Sequence, residues 1–65
     1  MAKIMIAAYD GSQPGRCVNA DVLDAIGIDA SLPMTDLQET EAIALAFDVA
    51  CSLYGAENAD AYIIK

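Results

Sequence analysis

The chain has 65 residues, which is room for a single compact acidic domain over residues 1–65 and no second one. Ten acidic residues against three basic ones give a net charge of −7, and there is no histidine. With only Lys3, Arg16 and Lys65 as bases, that balance disfavours binding to nucleic-acid phosphates or anionic membranes. The missing imidazole excludes Ser-His or Cys-His nucleophile pairs and His-ligated metal sites.

The hydrophobic share is 57%, but 13 of those residues are alanine. Leu, Ile, Val and Phe still make up 16 of the 65 positions, a quarter of the chain and above the level of about a fifth that marks disorder. A domain this short buries only about 60% of the surface its unfolded chain exposes, so its core is small and its stability margin thin.

Lys3 to Tyr9 reads as a first strand, with isoleucines at alternate positions and Asp10-Gly11 marking its end. Ile4, Ile6 and Ala8 share one face, and Met5, Ala7 and Tyr9 the other. Asp10 to Gly15 is a loop, after which Arg16-Cys17-Val18 can return as a short second strand. Asn19 is a candidate N-cap for a two-turn helix over Ala20–Ile26, with Asp21 in its first turn. Gly27 stands at the C′ position, with Ile28 behind it for the usual apolar closure. Asp29 to Met34 is a connector.

Thr35-Asp36-Leu37-Gln38 fits a capping box and opens a long helix that runs to Tyr54 and stops at Gly55. At 100° per residue, Ile43, Ala46, Phe47, Ala50, Leu53 and Tyr54 fall on one broad apolar face. Glu41, Asp48 and Ser52 gather opposite. Phe47 centres that face and is expected to be core, with Phe47→Ala costing about 3–5 kcal/mol. A last strand follows over Asp60–Lys65, carried by Tyr62, Ile63 and Ile64. The pattern predicts an α+β fold: a two- or three-stranded antiparallel sheet of N- and C-terminal strands, with both helices packed on one face. Met5, Tyr9, Tyr62 and Ile64 would then lie on the uncovered side. That patch is either a dimer or partner surface, or an ordinary half-covered sheet face.

Cys17 and Cys51 are 34 positions apart with no second pair beside either, so no zinc site is indicated. With no signal peptide or N-glycosylation sequon in view, they read as two buried free thiols in a cytoplasmic protein. The apolar stretch Ala42–Ala50 is interrupted by Asp48 and is too short to span a bilayer. Gly11 to Arg16 lacks the Gly-Lys-Ser/Thr of a phosphate-binding loop. Asp21 and Asp24 are one turn apart, but no further oxygens complete a calcium site. No metal, cofactor or catalytic set is expected, and the chain does not read as an enzyme.

The acids are the remaining signal. Glu41 and Asp48, seven residues apart, lie on one stripe of the long helix about 10 Å from each other. Asp36 and Glu39 stand at its N-terminal end, and Asp21, Asp24 and Asp29 in or after the first helix. Negative charge on one side of a small domain can follow the spacing of nucleic-acid phosphates and occupy a basic groove built for DNA or RNA. A solvated helix face gives the same pattern.

In size, charge, lack of a catalytic set and compact α/β pattern ending in Ala61-Tyr62-Ile63-Ile64-Lys65, the chain resembles the small acidic phage-encoded anti-CRISPR proteins that mimic nucleic acid. The resemblance is one of type and rests on no diagnostic motif. It implies an inhibitor acting in the host bacterial cytoplasm. Such a protein binds a CRISPR effector complex, a multisubunit Cascade-type one above others, and blocks its access to target DNA. The phosphate substitutes would be Asp36, Glu39, Glu41 and Asp48, with Asp21, Asp24 and Asp29 as a second cluster. Two alternatives share the composition. One is a small homo-oligomeric accessory or structural protein using Met5, Tyr9, Tyr62 and Ile64; the other is an antitoxin-like regulator of a different basic protein.

Overall fold

The computed structural model describes residues 3–27 and 33–64. Its elements are β1 (Lys3–Ala8), β2 (Arg16–Cys17), α1 (Asn19–Ile26), α2 (Asp36–Tyr54) and β3 (Ala59–Ile64). The three strands form one antiparallel sheet in the order β2–β1–β3, so the two terminal strands pair directly. This is the α+β architecture that the sequence pattern predicts, in its three-stranded form.

The alternation in β1 sets the layers. Ile4 and Ile6 are completely buried and Ala8 nearly so, while Lys3 is exposed and Met5 and Ala7 are half-buried. The inward residues join Val18, Val22 and Leu23 of the α1 segment and Ala42, Ala46 and Ala50 of α2, which builds one core on one side of the sheet. In β3, Ala59, Ala61 and Ile63 pack toward that core, and Asp60, Tyr62 and Ile64 point to the open face.

The sequence reading of α2 holds for Ala46 and Ala50 and requires correction at the larger positions. The buried stripe is Ala42, Ala46 and Ala50, spaced four residues apart, with Leu45 and Val49 partly buried beside it. Ile43, Phe47 and Leu53, expected on the core face, are exposed, and Phe47 keeps 41% of its surface. Alanines spaced by one turn form a shallow groove, which lets the helix axis approach the sheet while Ile4 and Ile6 fill the gap. A larger residue on that stripe would hold the two layers apart. The helix is therefore rolled away from the orientation that its bulkiest side chains would choose.

Asn19 also departs from expectation. Val18 holds the N-cap position without any side-chain cap, and Asn19 is the first residue of α1. The Asn19 side-chain carbonyl instead accepts the backbone N–H of Ile4 at 2.6 Å. Val18, expected at the end of the second strand, is buried and donates its N–H to the carbonyl of Ile4 at 2.9 Å. β2 ends at Cys17, and Val18 and Asn19 carry the contact with the same edge of β1 on to Ile4.

The other helix termini follow their local chemistry. Gly27 adopts φ +67°, the left-handed conformation expected at C′, and its N–H returns to the last turn of α1. Thr35 and Gln38 form the full capping box: the Thr35 hydroxyl accepts from the Gln38 N–H at 3.2 Å, and the Gln38 side chain accepts from the Thr35 N–H at 2.9 Å. Gly55 at φ +89° turns the chain out of α2. Asn58 then secures the turn against β1, its backbone carbonyl accepting from Tyr9 N–H at 2.7 Å and its side chain from Asp10 N–H at 3.0 Å. Tyr9 lies just beyond the end of β1, in the turn, and is 80% exposed. β3 begins one residue earlier than expected. Ile28, Asp29 and Lys65 lie outside the described residues.

Candidate interaction surface

None of the charged side chains in the described residues is buried, so the fold does not consume the charge of its acids. In α1, Val22 and Leu23 face the core, and Asp21 and Asp24, three residues apart, are exposed. In α2, Glu41 and Asp48 are exposed on the stripe opposite Ala42, Ala46 and Ala50. Their separation along the axis is about 10 Å, at 1.5 Å per residue.

The four acids assigned to α2 do not form a single row. At 3.6 residues per turn, Asp36 and Glu39 stand about 140° and 160° around the helix from Glu41. Both occupy the first turn, where unpaired N–H groups favour negative charge. Glu39 is half-buried, and Asp36 is exposed. Their position thus has a structural explanation that Glu41 and Asp48 lack. Asp29, the last of the second cluster, lies outside the described residues.

Sequence reasoning missed the apolar part of this surface. Ile43 and Phe47 are one turn apart on a flank of α2, and Leu37 is exposed on the side that carries Glu41 and Asp48. Large apolar groups beside carboxylates give a surface both a charge to steer a basic partner and hydrocarbon to anchor it. The signal that could have found them is the spacing of Ala42, Ala46 and Ala50, a row of small residues that marks close packing more specifically than hydropathy does.

The open sheet face carries Met5, Tyr62 and Ile64 as expected, with Ile64 49% exposed. Cys17 opposes Met5 in the ladder, as does Tyr62 from the other side, so the three make one row across the sheet. The Tyr62 hydroxyl reaches across β1 to Gly15, where a Cβ would stand 2.7 Å from it. A side chain at Gly15 would require the Tyr62 hydroxyl to shift. Both cysteines are free; Cys17 is exposed, contrary to expectation, and Cys51 is half-buried.

A cleft between the β1–β2 loop and the C-terminal end of α2 is lined by Gln13, Pro14, Gly15, Arg16, Leu53 and Tyr54. Its lining combines the Arg16 guanidinium and the Gln13 amide with the side chains of Pro14, Leu53 and Tyr54. Among the described residues, no group of three or more His, Cys, Asp or Glu side chains is placed to hold a metal ion. Nor is any helix among them long and apolar enough to cross a membrane. No protein-family model matches the chain, and no curated protein or solved structure matches it either.

Proposed function

We propose that the protein is an inhibitor that occupies a basic nucleic-acid-binding surface, with a CRISPR effector complex of the Cascade type as its target. Its acidic helices take the place of DNA phosphates and block target DNA. The observation that carries this reading is the outward placement of Glu41, Asp48, Asp21 and Asp24, none of which faces the core. Exposed carboxylates of this kind are available to a basic partner, and steering by opposite charge speeds association. Phe47 and Ile43, exposed on the same helix, would supply the apolar anchor that distinguishes one basic groove from another.

The test is a pull-down of purified effector complexes with this protein, with and without competing target DNA at two salt concentrations. Binding that DNA competes away and salt weakens supports mimicry. The double variant Glu41→Ala/Asp48→Ala should then lose binding with its melting temperature nearly unchanged, and Phe47→Ala should shorten the lifetime of the complex. Failure of every effector complex to bind, or equal binding by the double variant, would overturn the proposal.

A further inference from the structure

We propose that the open face of the sheet docks a second copy of this chain, giving a two-fold dimer with its sheets back to back and its acidic helices on both outer sides. This inference is independent of the target assigned above.

The argument starts from how charge is distributed over the two sides of the domain. The acids of α1 and α2 stand on the helical layer, whereas the strand residues of the open face include one base, Lys3, and one acid, Asp60, both exposed. Among the described strand residues that face is neutral, on a chain of net charge −7, so repulsion between copies is least when they meet there.

The two charges are also self-complementary. Lys3 stands in register with Ile64 at one end of the β1–β3 ladder, and Asp60 with Ala7 at the other. The ends are about 13 Å apart, four residues at about 3.3 Å each. Between them lies the apolar row Cys17, Met5 and Tyr62. A two-fold axis along that row exchanges the ends, which sets Lys3 of one copy above Ala7 of the other, beside Asp60. The neighbouring strand is only about 4.8 Å away, within reach of a lysine side chain, and Ala7 is small enough to leave room for its stem. The same operation forms the contact a second time, as an isologous interface requires. It also covers Tyr62 and Ile64, which the monomer leaves in water.

In this arrangement Cys17 lies over its own symmetry mate. Stacked sheets are about 10 Å apart, beyond the Cα separation of roughly 4.4–6.8 Å that a disulfide allows. The geometry therefore gives proximity without a direct bond.

Sedimentation equilibrium from about 10 µM to about 1 mM, a range suited to a small interface, tests the proposal. The intact chain should pass from monomer to dimer. Lys3→Asp and Asp60→Lys should each weaken association by about tenfold or more, the double charge swap should restore it, and Ile64→Asp should abolish it. A bis-maleimide spanning about 10 Å should join two copies through Cys17 in a Cys51→Ser background. Circular dichroism confirms that each variant is folded. A monomer at every concentration would overturn the proposal. So would a dimer indifferent to Ile64→Asp, or a charge swap that fails to rescue. A dimer that the reagent cannot join would overturn this docking register.

Discussion

The side-chain oxygen of Asn19 lies 2.6 Å from the backbone nitrogen of Ile4, fifteen residues earlier, and the Val18 N–H donates to the Ile4 carbonyl at 2.9 Å. Both polar groups of a residue with no exposed surface are thereby satisfied by the segment that opens α1. β2 is only two residues long, and these two bonds continue the pairing after it stops. Removing the Asn19 amide leaves a buried donor without that acceptor. Asn19→Ala should therefore cost about 1–3 kcal/mol in urea denaturation. A loss below a few tenths would show that Ile4 does not depend on this bond.

A second expectation concerns the layer between α2 and the sheet. Ala46 is fully buried in the middle of the alanine stripe, and Ala46→Leu would force the layers apart at a cost of about 1–3 kcal/mol. Phe47→Ala should cost no more than about 1 kcal/mol, because much of the ring is in water already and alanine is the better helix former. The informative quantity is the order of the two effects. Thermal melts in which Phe47→Ala is the more damaging would mean that α2 is rolled differently.

A third expectation concerns acid. Hydrogen bonds from Ser12, first through its side chain and then through its backbone N–H at 2.9 Å, hold the Asp10 carboxyl below its ordinary value of 3.8. A carboxylate whose pKa is lower in the folded state contributes stability that is present above the unfolded value. The contribution fades as pH falls through the folded one. The β1–β2 loop should thus loosen as pH drops below about 3.8. NMR titration of Asp10 should give a midpoint below its ordinary value of 3.8, and Asp10→Asn should remove this part of the acid sensitivity. An Asp10 midpoint at or above 3.8 would remove the basis for the prediction.

What was legible in the chain follows from how local each determinant is. Ile4 and Ile6 alternate with less apolar neighbours, so the inward side of β1 follows from two-residue periodicity. Thr35 and Gln38 form a cap within four residues, and Gly27 terminates α1 by its own backbone preference. The roll of α2 is different in kind. Ile43, Phe47 and Leu53 compete with Ala42, Ala46 and Ala50 for the core, and hydropathy favours the larger set. The outcome depends on how close the sheet can come, which the hydropathy of the helix does not carry. Asn19 is a similar case. Its cap propensity is local, but its partner is Ile4, which only the tertiary fold brings near. Among the candidate acids, the heptad spacing of Glu41 and Asp48 was readable. The separation of Asp36 and Glu39 from their stripe follows from the same arithmetic carried one turn further.

The alanine stripe has an evolutionary consequence. A helix brought close to its sheet by a row of methyl groups places its strictest demand on positions that tolerate almost no enlargement, while Leu37, Ile43, Phe47 and Leu53 are exposed. Such a chain can exchange nearly every outward side chain, acidic or apolar, and keep its backbone. Descendants of one ancestor could then face different targets while sharing little beyond the spacing of a few small residues. Kinship among such proteins would be found in the alanine period and strand order before it is found in residue identity.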